Sequence, residues 1–163
     1  MDFVTRQLIR FGTAQVEAGA DVIAISDPSG TGEILGPRYF EEFAVTYINR
    51  LLEGLPREKT GTIVHICGQM KPVYREVNEL KSNALSFDSI IPMREARKQL
   101  PDRILMGNVS TYALEFGTPD RVETLTRGCV EAGSDIISPA CGLGMRSPLA
   151  NVRTILKTLE KGE

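Results

Sequence analysis

A near-repeat constrains the fold of this chain more than any other feature of its sequence. The segment VEAGADVI occupies residues 16–23, and VEAGSDII occupies residues 130–137. In each copy a helix ends at a glycine that is suited to the left-handed cap position. An Asp follows the glycine after one intervening residue, and a β-branched apolar run then begins. Both copies therefore predict a helix, a tight turn and a buried strand.

Short apolar runs predict the strands of a sheet. These runs are rich in β-branched residues and are bounded by turn residues. Because they are apolar on both faces, they favour a parallel sheet covered by helices over an alternating antiparallel sheet. The predicted strands are Val22–Ile25, Thr62–Ile66, Ala84–Phe87, Ile104–Met106 and Ile136–Ser138.

Apolar residues at three- and four-residue spacing predict helices between these strands. One helix starts after Gly36, with Pro37 at its first position. Another has Thr118 as its N-cap and Pro119 next, and a third comes after Pro148. Helices are also predicted for the N-terminal segment and for residues 69–80 and 93–100.

Alternating βα units indicate an α/β fold with a parallel sheet, and 163 residues predict a single domain over residues 1–163. An eight-stranded TIM-type barrel takes about 250 residues, so five βα units predict a partial barrel or, alternatively, an open doubly wound sheet. A partial barrel has unpaired strand edges. It therefore favours self-association or pairing with a missing barrel half.

Charge and composition exclude several kinds of partner. The formal net charge is −2 with acidic and basic residues mixed along the chain, so neither nucleic acid nor an anionic membrane is an expected partner. The sequence contains no secretion signal and no run of about 18 apolar residues. We expect a cytoplasmic protein.

His65, Cys67 and Cys141 are the residues best placed to bind a metal. The strand Thr62–Ile66 runs into His65 and Cys67, whose side chains point to the same side of an extended segment, roughly 6–7 Å apart. Cys141 comes after the strand Ile136–Ser138 and would lie at the same end of a parallel sheet, where α/β proteins place their sites. One imidazole and two thiolates leave the fourth position of a tetrahedral Zn²⁺ open.

Spacing alone also fits ordinary packing, because free cysteine is among the most buried residue types. Position favours a metal for Cys67 and Cys141, since each comes after a predicted strand and precedes a glycine. Cys129 lies on an apolar helix face with Val122 and Leu125, so it is predicted to be a packing residue.

Three polar residues come after predicted strands, where a substrate would be met: Asp27, Asp88 and Asn108. They are candidate substrate-binding residues or hydrogen-bond partners of His65. The alternative is turn formation and helix capping, since Asp27 precedes Pro28. Both interpretations remain open from the sequence.

Three long segments resemble one known family. The segment GADVIAISDPSGTGEILGPRYFEEF, the turn HICG with a later SPACGLG, and MGNVSTYALEFGTPDRVE are similar to the uroporphyrinogen decarboxylase superfamily. They look most like its zinc-dependent branch, the methylcobamide:coenzyme M methyltransferases and related corrinoid methyltransferases. The resemblance covers essentially the whole chain but only the C-terminal half of a TIM barrel of roughly twice this length.

The resemblance implies a function for the three candidate ligands. His-x-Cys with a distant Cys is the zinc motif of that branch, so zinc is expected at His65, Cys67 and Cys141. Binding to Zn²⁺ would deprotonate a thiol such as coenzyme M, and the thiolate would attack a methyl group on the corrinoid of a separate partner protein. Related enzymes use a methylated substrate in the other direction.

Two other functions remain open. A half-barrel can bind zinc or a partner without catalysing a reaction. A decarboxylase of the uroporphyrinogen type is a lyase that does not need these ligands. The residues fix neither the methyl donor nor the acceptor.

Overall fold

Four strands of the computed structural model, which describes residues 1–160, form one parallel sheet in the order β1-β2-β3-β4. The α/β class predicted from alternating βα units is therefore confirmed. The strands are β1 (Val22–Asp27), β2 (Gly61–Ile66), β3 (Ala84–Phe87) and β4 (Ile104–Met106). By compactness the chain divides into a first unit, Met1–Leu85, and a second unit that begins at Ser86.

The first unit places its helices around β1 and β2. Strand β1 pairs with β2 along its full length, from Val22 opposite Gly61 to Asp27 opposite Ile66. The side chains of Phe40 and Leu52 are completely buried and belong to the core of this unit. The helices are α1 (Asp2–Glu17), α2 (Gly32–Tyr39), a π-helical segment (Phe40–Val45), α3 (Thr46–Gly54), a 3₁₀ turn (Lys71–Val73) and α4 (Tyr74–Val77).

The helix predicted to start at Pro37 is the second part of a longer helical stretch. Gly36 has φ 65° and ψ 170°, which breaks α2 and lets Pro37 restart the helix. The stretch then continues through the π-helical segment into α3. The predicted start is confirmed, but one further turn precedes it.

The second unit packs its helices around an apolar cluster. Helix α7 begins at Pro119, and the Thr118 side chain accepts a hydrogen bond from the Arg121 N–H, so the predicted N-cap is confirmed. The cluster contains Val109, Leu114, Val122, Cys129 and Ile155. The helices are α5 (Met93–Gln99), α6 (Thr111–Phe116), α7 (Pro119–Glu131) and α8 (Leu149–Glu160).

The fifth predicted strand, Ile136–Ser138, does not form a regular strand. Its region makes only isolated parallel bridges, Met106 with Ile136 and Val109 with Pro139. The Gly107 N–H donates to the Ile136 carbonyl and the Val109 N–H donates to the Ser138 carbonyl, but these bonds do not form the continuous ladder of a regular strand. Helix α6 is an element that the sequence patterns do not predict. It starts after Ser110, whose hydroxyl accepts a hydrogen bond from the Ala113 N–H.

The two copies of the repeat form the predicted helix end and turn. Gly19 has φ 102° and Gly133 has φ 89°, both in the region that favours glycine. The copies differ beyond the turn. The first continues into β1, and the second continues into residues 136–139, which we call the bridged segment because they make only isolated β-bridges. None of the helices between residues 1 and 160 combines the length and apolar content that a membrane crossing demands.

Candidate metal centre

His65 and Cys67 lie together at the carboxyl end of β2. Along this strand Thr62, Val64 and Ile66 are buried, whereas His65 and Cys67 belong to the partly exposed series on the other side. The distance from His65 Nε2 to Cys67 Sγ is 3.3 Å. The alternation of a β-strand thus brings an imidazole nitrogen and a thiol to one point, as the spacing predicts.

This distance suits zinc. A tetrahedral ion with Zn–N near 2.0–2.1 Å and Zn–S near 2.3 Å separates its nitrogen and sulfur ligands by about 3.6 Å. The observed 3.3 Å requires a displacement of only a few tenths of an ångström. Imidazole and thiolate are also the donor types that zinc prefers.

The turn after Cys67 is held by the loop that connects β1 to α2. Gly68 has φ 78°, and a Cβ at this position would approach Thr31 Cγ2 to 2.7 Å and Glu33 Oε1 to 2.8 Å. The Gln69 N–H donates to Glu33 Oε2 at 2.7 Å, and the Gly32 N–H donates to the Gln69 carbonyl at 3.0 Å. The first unit therefore fixes the backbone beside Cys67.

Glu33 is a positioning residue that the sequence did not reveal. Its carboxylate anchors Gln69, which is distant in sequence, so no local pattern marks the contact. An acidic residue in the first turn of a helix is ordinarily explained by the helix dipole.

Cys141 is exposed in the second unit, one residue beyond the last backbone bond of the bridged segment. The Val109 N–H donates to the Ser138 carbonyl at 3.0 Å, and the Ala140 N–H donates to the Val109 carbonyl at 2.8 Å. These bonds place Cys141 at the end of a strand-like segment, as predicted, although that segment is not a regular strand.

Cys129 is a packing residue. It is 7% exposed within the apolar cluster of the second unit. Burial raises the pKa of its thiol, and a hydrogen bond from the Asn108 N–H opposes this rise. A buried protonated thiol is a poor metal ligand, so this cysteine provides a natural control for the other two.

Asp27 forms the turn after β1. Its Oδ1 accepts hydrogen bonds from the N–H groups of Ser29, at 3.1 Å, and Gly30, at 2.8 Å. These bonds match the alternative that Asp27 is a turn residue. The carboxylate also lines a cavity of about 210 Å³ with Ser26 and Tyr47. A role in substrate binding therefore stays a prediction.

Asn108 and Asp88 are joined by hydrogen bonds. The Asn108 side-chain amide donates to the carbonyls of Asp88, at 2.9 Å, and Ile91, at 2.8 Å, and Asn108 is 9% exposed. The Asp88 carboxylate accepts from the Ile90 N–H at 3.1 Å. These contacts give both residues a structural role that the sequence could not distinguish from substrate binding.

Fold and local chemistry define a class of protein before any comparison. The chain is a parallel βα protein that carries an imidazole and a thiol at the carboxyl end of a strand, where barrel and doubly wound proteins bind their substrates. Sites of this composition are suited to zinc.

The chain belongs to the uroporphyrinogen decarboxylase family, whose model matches residues 1–162. It is 28% identical over 96% of its length to methylcobamide:CoM methyltransferase MtbA of Methanosarcina acetivorans, and 30% identical over 96% to methylcobamide:CoM methyltransferase MtaA of Methanosarcina barkeri. It covers 47% and 46% of these proteins, respectively, so it spans about half the length of the curated relatives it matches.

A solved structure agrees with this family. A methyltransferase from Methanosarcina mazei superposes with a TM-score of 0.91 and 28% identity, over 99% of this chain and 48% of that one. The predicted resemblance to the methylcobamide:coenzyme M methyltransferase branch is therefore confirmed, and the partial barrel fits the same structure.

Proposed function

We propose that this chain carries the zinc site of a corrinoid-dependent methyltransferase. His65, Cys67 and Cys141 bind one Zn²⁺, and the methyl group passes between a corrinoid held by a partner protein and a thiol such as coenzyme M. Asp27, Asp88 and Asn108 lie after the strands and remain candidate contacts to the substrate.

One observation carries the proposal. His65 Nε2 and Cys67 Sγ lie 3.3 Å apart at the carboxyl end of β2. His65 is the single histidine of the sequence, and the chain has only three cysteines. Cys67 lies beside the histidine, Cys141 is exposed in the second unit, and Cys129 is buried in an apolar cluster. This is the donor set of a three-ligand zinc site with one position left for a substrate.

Bound zinc supplies Lewis acidity and lowers the pKa of a coordinated thiol, so that the thiol is available as a thiolate at neutral pH. The protein residues orient that chemistry. The end of β2 fixes His65 and Cys67 on one side of the strand, and the hydrogen bonds of Glu33 and Gly32 to Gln69 hold the adjoining turn. Exposed Cys141 leaves the site open to an incoming substrate.

The names of the relatives support the choice of substrates. They are methylcobamide:CoM methyltransferases, so a methylated corrinoid and coenzyme M are the first pair to test. A second candidate function is a zinc-binding half-barrel without catalysis. It is favoured by the extent of the match, because this chain covers less than half of those relatives.

The experiment combines metal analysis with an assay of the purified chain. Methylcobalamin serves as donor and coenzyme M as acceptor, and the absorbance change on demethylation reports transfer. We expect about one zinc per chain in the wild type and in Cys129→Ala, and its loss together with activity in Cys67→Ser and Cys141→Ser.

The outcomes separate the two functions. Zinc without methyl transfer in the wild type supports the non-catalytic half-barrel. Full zinc in both Cys67→Ser and Cys141→Ser would remove the basis of the metal site itself. Decarboxylation of uroporphyrinogen by the same preparation would instead indicate the lyase activity of the family.

A further inference from the structure

We propose that four exposed apolar side chains next to Cys141 form the surface that docks the corrinoid-carrying protein. We name this the docking surface, and it consists of Tyr112 and Phe116 on α6 and Leu143 and Met145 in the loop after Cys141. The proposal rests on the proposed function, because it concerns the partner of that methyl transfer.

The exposure of these side chains is high for residues of their type. Met145 is 103% exposed, Tyr112 73%, Phe116 66% and Leu143 47%. The rings of Tyr112 and Phe116 contact each other with centroids 4.8 Å apart. Aromatic residues and methionine are enriched at the centres of protein interfaces, and groups of exposed apolar residues mark interaction sites.

The loop and α6 are held together as one surface. A Cβ at Gly144 would come within 1.7 Å of Glu115 Oε2, so the loop backbone lies against the end of the Glu115 side chain, which α6 presents. The Ser147 N–H donates to the Gly144 carbonyl at 3.0 Å and closes the loop as a turn.

The start of α8 is anchored to the same helix. The Asn151 side-chain amide donates to the carbonyls of Leu114, at 3.1 Å, and Gly117, at 2.9 Å, and Asn151 is 2% exposed. The chain that leaves the loop is therefore tied to α6 as well.

The geometry of the transfer determines the occupant. A methyl group can move between a protein-bound corrinoid and a thiol only when the reacting atoms approach to about 3–3.5 Å. The partner must then contact this chain around the metal ligands. Leu143 and Met145 come two and four residues after the exposed ligand Cys141, so they lie where that contact must occur. A second copy of this chain would bring no methyl group.

A cavity beside the aromatic pair offers a place for a charged side chain of the partner. It has a volume of about 440 Å³ and is lined by Tyr112, Phe116, Ser110 and Arg121, among others. The Arg121 guanidinium makes no ion pair with any residue between 1 and 160. An acidic side chain of the partner could form an ion pair with this guanidinium. Arginine is common among the residues that dominate the binding energy of an interface.

The test uses two methyl donors that differ only in the need for docking. Free methylcobalamin needs no protein surface, whereas a corrinoid protein from Methanosarcina acetivorans, reconstituted with methylcobalamin, must dock. In Phe116→Ser and Met145→Ser we expect the KM for the protein donor to rise about tenfold, with the rate from free methylcobalamin unchanged. Val130→Ser, which changes an exposed apolar residue of α7, is the control and leaves both unchanged.

Direct binding distinguishes failure of docking from failure of catalysis. Calorimetry with the reconstituted corrinoid protein measures affinity whether or not the methyl group moves. A tenfold loss of affinity in Phe116→Ser and Met145→Ser supports the surface even if the wild type transfers no methyl group. Absence of binding by the wild type, or equal affinity in the wild type and both variants, would overturn the proposal.

Discussion

Replacement of Gly68 by alanine tests how the turn beside Cys67 positions the metal ligands. Gly68 has φ 78°, and a methyl group there would approach Thr31 Cγ2 to 2.7 Å and Glu33 Oε1 to 2.8 Å. Glu33 cannot withdraw freely, because its other carboxylate oxygen accepts the Gln69 N–H. The substitution therefore combines backbone strain with crowding at the end of β2.

The expected magnitude is the sum of these two effects. A left-handed conformation costs an ordinary residue roughly 1–2 kcal/mol, and an overpacked methyl group costs about 1–3 kcal/mol. We expect the free energy of unfolding of Gly68→Ala to fall by about 2–5 kcal/mol. If the backbone of Cys67 shifts to relieve the crowding, zinc affinity falls at least about tenfold, which corresponds to 1.4 kcal/mol.

Two glycines serve as matched controls. Gly36 also has a positive φ, at 65°, with ψ 170° in a region essentially confined to glycine, and no atom lies within 4 Å of its Cβ position, so Gly36→Ala reports backbone strain without crowding. Gly142 comes directly after Cys141 and has neither a positive φ nor a close neighbour. We expect Gly142→Ala to change stability by no more than about 0.5 kcal/mol and to retain zinc.

Urea unfolding and competition with a colorimetric zinc chelator measure the two effects. Equal stability and equal zinc affinity in Gly68→Ala and Gly142→Ala would refute the positioning of Cys67 by this turn.

Two further predictions concern the second unit. Asn108→Ala removes the side-chain amide that donates to the carbonyls of Asp88 and Ile91. The free energy of unfolding, measured in urea, should fall by about 2–4 kcal/mol. An unchanged unfolding midpoint would exclude the structural role. The hydrogen bond from the Leu105 N–H holds the pKa of Asp135 below its usual value. The stability that the ionised Asp135 carboxylate contributes is therefore fully present above the unfolded pKa of about 3.9. It is lost as the pH falls through the lower pKa of the folded state. Asp135→Asn should therefore cost about 1 kcal/mol at pH 7, and its deficit should vanish in strongly acidic urea titrations; a deficit that is independent of pH would contradict this.

The sequence predicted those parts of the fold that depend on local pattern. Four of the five predicted strands are regular. The fifth forms only two isolated bridges, Met106 with Ile136 and Val109 with Pro139, and the local pattern of the run Ile136–Ser138 does not reveal this interrupted pairing. Short α6 was missed because a six-residue helix offers too few turns for an apolar period.

In the candidate site too, the sequence predicted the features that depend on local pattern and missed those that depend on distant contacts. The i and i+2 spacing of His65 and Cys67 predicts their convergence, since a strand alternates its side chains whatever surrounds it. The contact of Glu33 with Gln69 joins the first turn of α2 to the turn after β2, far apart in sequence, and leaves no periodic signal. Asn108 was interpretable as either a binding or a structural residue, and only its partners, the carbonyls of Asp88 and Ile91, favour the second.

The most direct test of the central claim is X-ray absorption at the zinc edge of the purified chain. The account predicts one nitrogen ligand near 2.0–2.1 Å and two sulfur ligands near 2.3 Å, with a third sulfur on addition of coenzyme M. In Cys141→Ser the spectrum should lose one sulfur or the metal altogether. A chain without zinc, or a sulfur count that is unchanged both by coenzyme M and by Cys141→Ser, would contradict the account.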